Sequence, residues 1–165
     1  MKQLFAYLDK CTGCRSCQLA CAVEHSSGKN LFSAVTETPT PRYRLYIEQA
    51  DDKKIPITCR HCDTAPCLDA CISGALYRDD RGMVLQQDDR CVGCWTCLMV
   101  CPYGVVGRQK ENKIAVKCDQ CPDLDVPACV NACPTHALVY AEVEEFGAAV
   151  RSSVAGVIAK AIETA

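Results

Sequence analysis

The sequence predicts an α+β fold: two nested modules of short antiparallel hairpins and short helices, followed by a C-terminal helix. Three observations support this. The 16 cysteines fall into four groups of four. Short strand-forming runs bounded by Asp and Gly lie between the groups. The final segment places apolar residues at helical spacing. The expected division is an outer module over residues 1–42 and 108–145, an inner module over 43–107, and a helix over 146–165.

Cysteine at this density implies either a disulfide framework or metal. The N-terminal stretch MKQLFAYLDKC has a single lysine before its first cysteine apart from Lys10, and its apolar run is broken by Asp9, so it does not read as a signal peptide. No run reaches the roughly 18 apolar residues of a membrane span. A cytoplasmic location is expected, and reducing conditions there leave thiols free for metal. The formal net charge of −2 is not arranged in blocks, and no basic stripe with interleaved aromatics suggests a nucleic-acid partner.

The first cysteine group is Cys11, Cys14, Cys17 and Cys21, and the second is Cys59, Cys62, Cys67 and Cys71. The third, Cys91, Cys94, Cys97 and Cys101, is followed by Pro102. The fourth, Cys118, Cys121, Cys129 and Cys133, has a wider third gap and is followed by Pro134. No cysteine is left over. The third group matches the C-x2-C-x2-C-x3-C-P run of bacterial ferredoxins. Three close thiolates wrap one face of a cubane cluster, and the fourth, starting a helical turn, reaches a neighbouring cluster. Proline fits the first turn of that helix, where its missing N–H has no partner to lose. Structural zinc instead uses C-x2–4-C pairs closed by a distant pair, which triplets with trailing fourth cysteines do not match. Four [4Fe–4S] clusters are therefore expected.

The elements between motifs suggest how they pair. Residues Ala75–Tyr77 and Met83–Leu85 read as strands around a turn at Asp79–Gly82, joining motifs two and three. A second hairpin before motif two turns at Asp51–Lys54. The apolar runs Leu4–Leu8 and Ala137–Tyr140 read as first and last strands that pair. This favours bacterial-ferredoxin-like modules in which motifs two and three form the inner unit and one and four the outer. A sequential scheme, one with two and three with four, is the alternative.

The stretches CTGCRSCQLAC with AVEH, CRHCDTAPC, CVGCWTCLMVCPYG, CDQCPDLDVPAC and NACPTHAL resemble the four-cluster electron-transfer subunits. These are the beta subunits of the dimethyl sulfoxide reductase and formate dehydrogenase group. The compact form is similar to those attached to carbon monoxide dehydrogenase, hydrogenase or tungsten aldehyde oxidoreductase. The resemblance covers roughly residues 3–143 and implies nested pairing. It places Cys11, Cys14, Cys17 and Cys133 on one cluster, and Cys21, Cys118, Cys121 and Cys129 on a second. Cys59, Cys62, Cys67 and Cys101 hold a third, and Cys71, Cys91, Cys94 and Cys97 the fourth. Ala22 and Ile72 stand where the motif has proline, which puts only the local turn in doubt. Trp95 leaves both flanking ligands in place, so all four clusters are expected to be four-iron.

Trp95 reads as an apolar lid over its cluster. His25, His61 and His136 read as structural histidines near the surface rather than ligands. Four clusters with their thiolates shift the formal −2 to about −10. Lys10, Arg15, Arg60, Arg90 and Lys117, each beside a motif, are candidates to offset that charge, although a solvated position is the ordinary expectation for any one of them. Ser26–Arg42 reads as a polar loop. The tail places Phe146, Val150, Val154, Val157, Ile158 and Ile162 on one helical face, with Arg151 and Lys160 opposite, to cap the module or dock on another subunit.

The expected function is electron relay without catalysis on this chain. The partners implied are a catalytic oxidoreductase subunit (a tungsten- or molybdenum-pterin or nickel-iron enzyme) and a flavin-containing NAD(P) reductase or hydrogenase. A freely diffusing polyferredoxin is the alternative. No Gly-rich dinucleotide loop follows a strand, and little chain is left outside the motifs to build a substrate pocket.

Overall fold

The computed structural model describes residues 2–163; Met1 and the last two residues of the expected tail, 164 and 165, lie outside them. The described residues form four separate two-stranded antiparallel hairpins or ribbons, with short helices carrying the cysteine motifs between them. β1 (Lys2–Ala6) pairs with β8 (Leu138–Glu142), with Leu4 opposite Tyr140, so strands near the two ends of the chain are tied together as expected. β1 is shorter than the apolar run that predicts it. Leu8 instead opens a single 3-10 turn over Leu8–Lys10 that leads into motif one.

β2 (Tyr46–Ala50) and β3 (Lys53–Ile57) turn at Asp51, where Asp51 adopts the left-handed conformation that Asp tolerates. β4 (Leu76–Arg78) and β5 (Val84–Gln86) form the hairpin between motifs two and three, each strand displaced by one residue from its expected span. Asp79 closes that turn: its carboxylate accepts N–H bonds from Arg81 and Met83 at 3.0 and 2.8 Å, an Asx turn. A fourth hairpin, β6 (Gly107–Gln109) with β7 (Ile114–Val116), was not anticipated, because its strands are only three residues long and lack alternation.

The helices α1 (Ser16–Glu24), α3 (Pro66–Asp69), α4 (Thr96–Val100) and α5 (Ala128–Asn131) each start beside the third cysteine of a motif. The segment expected to be an irregular polar loop contains α2 (Leu31–Thr36), whose first turn is capped by the Asn30 side chain accepting the Ser33 N–H at 2.9 Å. α6 (Val143–Glu163) follows β8 directly. Its Phe146 stacks on Phe5 at 4.2 Å between centroids and tilts against Tyr7 at 5.2 Å. Beyond that anchor, Val154, Val157, Ile158 and Ile162 on the predicted stripe are 52–71% exposed among the described residues.

Two apolar clusters form the interior, and cysteines are prominent in both. One gathers Cys17, Cys21, Cys118, Cys129 and Cys133 with Leu4, Leu45, Ile47 and Leu138. The other gathers Cys97 with Leu76, Val106 and Ala115, flanked by Cys67, Cys71, Cys91 and Cys101. Ordinary hydrophobes alone do not fill these interiors, so whatever the thiols hold contributes to folding.

Candidate metal centres

The repeat seen in the sequence is also a repeat of backbone shape. In each C-x2-C the residue before the second cysteine is left-handed: Gly13 (φ 74°), His61 (44°), Gly93 (67°) and Gln120 (61°). Motifs one and three repeat the conformation two residues later, at Arg15 and Trp95, which precede α1 and α4. This winds the first three cysteines of a motif around one concavity. Three residues after the fourth cysteine, Gly74, Gly104 and His136 are left-handed as well. That turn sends a later amide back to the thiol: Leu76 N–H to Cys71 Sγ at 3.5 Å, and Ala137 N–H to Cys133 Sγ at 3.2 Å. Motif one departs here. In this motif α1 runs on to Glu24, and the Cys21 thiol accepts from the Arg44 N–H at 3.2 Å instead.

The structure gathers twelve of the sixteen cysteines in three cavities. Cys11, Cys14, Cys17 and Cys133 line one cavity, with Ile47 and Leu138. Cys71, Cys91, Cys94 and Cys97 line a second, with Trp95 and Leu76. Cys59, Cys62, Cys67 and Cys101 line a third, with Val84, His61 and Lys117. In each, three thiols come from one motif and the fourth from another. Cys21, Cys118, Cys121 and Cys129 are all buried, and Cys129 interacts electrostatically with the other three. Exposure is uneven: Cys14 and Cys94 are exposed, the others half-buried or buried.

Burial pushes the Cys17, Cys97 and Cys121 thiols up to about 11, and Cys118 and Cys129 further. Thiolates at such depth need positive charge close by, which iron supplies. Cys71 and Cys133 are held below the usual thiol range: burial opposes this, and the amide and hydroxyl donors around them outweigh it. The four-thiol cavities, the amides aimed at sulfur and the apolar linings fit [4Fe–4S] clusters.

Beside Cys21 lies an ionic network that the motifs did not reveal. Asp119 accepts from the Arg44 guanidinium, from His25 Nε2 at 3.2 Å and from the Cys121 N–H at 3.0 Å. Burial pushes the Asp119 carboxyl up, but His25 and Arg44 overcome it and hold the group far below the usual range. His25 is correspondingly raised to about 9 against its own burial, chiefly by Asp119. His25, Asp119 and Cys121 offer ligand atoms within 4.8 Å of one another. Because Asp119 already serves three donors, the group reads as an ion-pair brace rather than a cation site. Asp119 was detectable in principle, as an Asx turn inside a C-x2-C; Arg44 carried no local signal.

Of the three histidines, only His61 departs from the expected place near the surface. His61 is not near the surface but 2% exposed, its Nδ1–H donated to Val84 O at 3.1 Å, and burial followed by Lys117 holds it neutral with a pKa of about 4. His25 is half-buried and His136 exposed. Of the five cations beside motifs, Lys10, Arg15, Arg60 and Arg90 are exposed, whereas Lys117 is 3% exposed. Trp95 lines the cavity of motif three, with the Arg108 guanidinium 5.7 Å from its ring centroid.

The comparisons with known proteins agree with this chemistry. A 4Fe-4S dicluster domain model matches residues 51–143, and a 4Fe-4S binding domain model matches residues 8–24. The chain is 36% identical to an "Iron-sulfur protein" of Rhodospirillum rubrum over 95% of this chain and 90% of that one. It is 38% identical to the "Electron transport protein HydN" of Escherichia coli (strain K12), covering 82% of this chain and 85% of the relative. The "Thiosulfate reductase electron transfer subunit PhsB" of Salmonella typhi is 33% identical, covering 82% and 73%. On this similarity along most of its length, the chain belongs to the 4Fe-4S dicluster family of iron–sulfur electron-transfer proteins.

Proposed function

We propose that this chain is the non-catalytic electron-transfer subunit of a larger oxidoreductase and holds four [4Fe–4S] clusters. The ligand sets are Cys11, Cys14, Cys17 and Cys133; Cys21, Cys118, Cys121 and Cys129; Cys59, Cys62, Cys67 and Cys101; and Cys71, Cys91, Cys94 and Cys97. The observation that supports them is that three cavities are each lined by one such set. The sequential pairing would instead have joined motif one to two and three to four. Motifs one and four belong to the outer module, and two and three to the inner.

Each bound cluster supplies one-electron chemistry. The chain supplies the rest: cysteines fix position, amides such as Ala137 N–H stabilise negative charge on sulfur, and Val84, Leu76 and Ile47 keep water away. Exposed Cys14 and Cys94 mark the two places where electrons cross the surface, and the buried set around Cys118 interacts with Cys17 of one neighbouring set and Cys59 of another. Cys59 and Cys118 interact electrostatically, which supports contact between inner and outer modules there.

The partner in this reading is a tungsten- or molybdenum-pterin or nickel-iron catalytic subunit, with a flavin-containing NAD(P) reductase or hydrogenase at the other end. The relative named as an electron-transfer subunit supports this over a freely diffusing polyferredoxin, as does the exposed apolar stripe on α6. An anaerobic pull-down from the native cells, with metal and flavin analysis, tests it. Stoichiometric tungsten, molybdenum or nickel is the expected result. A chain that emerges alone with its iron would refute the subunit reading and favour the shuttle.

A further inference from the structure

Lys117 follows β7 and immediately precedes Cys118. Its side chain turns inward, leaving the residue 3% exposed. The ammonium donates to Val84 O on β5 and to Cys118 O at 3.0 Å. Both acceptors are neutral carbonyls, and no carboxylate lies within ion-pair reach of Lys117 among the described residues. A buried ammonium held only by carbonyls is unfavourable unless negative charge lies nearby. Lys117 lines the same cavity as Cys59, Cys62, Cys67 and Cys101. The other cations beside motifs are exposed, where water and salt screen them.

We infer that Lys117 is a fixed counter-charge for the cluster held by Cys59, Cys62, Cys67 and Cys101, and that it raises the midpoint potential of that cluster while leaving those of the Cys14 and Cys94 sets in place. The inference rests on the ligand set proposed above. Each electron taken up adds one negative charge to the bound group, and a desolvated cation a short distance away favours the reduced form. Because the same ammonium bonds the Cys118 carbonyl, the charge sits at the seam between two cysteine sets. It favours an electron resting at that seam and smooths passage between inner and outer modules. A purely architectural lysine, tying β5 to motif four, would affect stability and leave midpoints alone.

The test is an anaerobic redox titration of the full chain with dithionite, followed by electron paramagnetic resonance, for wild type, Lys117→Met, Lys117→Gln and Lys117→Arg. The midpoint belonging to this cavity is identified as the one that Cys62→Ser disturbs. In both neutral variants the ratio of reduced to oxidised cluster at the wild-type midpoint falls at least tenfold, equal to 59 mV for one electron. Lys117→Arg retains the wild-type value, and the midpoints of the Cys14 and Cys94 sets stay in place. If Lys117→Met does not fold, Lys117→Gln, which keeps N–H donors without the charge, carries the measurement. Loss of the cluster at this cavity from both neutral variants overturns the inference in favour of the architectural role. Unmoved midpoints in chains with full iron overturn the inference alone, as does an equal shift of all four. A wild-type chain without iron overturns the underlying reading and the inference together.

Discussion

Three glycines with left-handed backbone provide a graded test of how the cysteine loops are built. Replacing any of them with alanine adds a Cβ to a conformation that costs an L-residue about 1–2 kcal/mol. At Gly82 (φ 81°) the new Cβ meets nothing within 4 Å, so that cost stands alone. At Gly13 (φ 74°) it meets Lys54 Cγ at 2.9 Å, a flexible side chain that can move aside. At Gly93 (φ 67°) it would lie 2.3 Å from the Lys113 carbonyl oxygen, in the turn between β6 and β7. That oxygen is backbone and cannot swing away, so the loop or the hairpin must shift, at an overpacking cost of about 1–3 kcal/mol more. The total at Gly93 is about 2–5 kcal/mol. At ~2–4 °C per kcal/mol for a chain of this size, Gly93→Ala lowers the thermal midpoint by about 10 °C and Gly82→Ala by about 4 °C. The assay is anaerobic heating followed by loss of visible cluster absorption. Equal midpoints for Gly93→Ala and Gly82→Ala would refute the close approach of the motif-three loop to the hairpin.

Other perturbations follow from the same geometry. Phe146→Ala removes the stacked contact with Phe5 and costs about 2 kcal/mol for a half-buried ring; it undocks α6, which limited trypsin digestion at Arg151 reads as faster cleavage. Arg44→Met leaves Asp119 without its guanidinium partner. Breaking a buried pair costs about 3–5 kcal/mol, reduced here to about 2 because the two side chains are 19% and 27% exposed; the bleaching midpoint falls by about 6 °C, and an unchanged midpoint would show that the brace contributes nothing. Removing iron with ferricyanide and a chelator collapses the circular dichroism signal, because cysteines form much of both apolar clusters. A chain that keeps its native spectrum without metal would contradict that account.

The motifs made the site legible because cluster chemistry demands cysteine at fixed spacing, and fixed spacing is visible in a single sequence. The C-x2-C turns recur in backbone shape even where the residue is His61 or Gln120 rather than glycine. The hairpin at Asp79–Gly82 was readable from turn chemistry to within one residue at each strand. The hairpin over Gly107–Val116 was not, since three-residue strands give no period to detect. Nor could local sequence show that Lys117 turns inward while Arg60 and Arg90 face water. That choice is made by contacts with Val84, 33 residues away. The Arg44–Asp119 pair spans 75 residues and was invisible for the same reason. The α6 stripe was legible as a spacing, but Arg151 falls within its arc rather than opposite, and the helix makes its ring contacts through its first turn, at Phe5 and Tyr7.

The central claim is that sixteen cysteines hold four cubane clusters. The most direct measurement is iron and acid-labile sulfide per chain after anaerobic purification, with the resonance spectrum of the dithionite-reduced protein. The account predicts about sixteen irons and about sixteen sulfides, with several interacting reduced clusters in the spectrum. Zinc in place of iron, or about eight irons with half the cysteines open to alkylation, would contradict it.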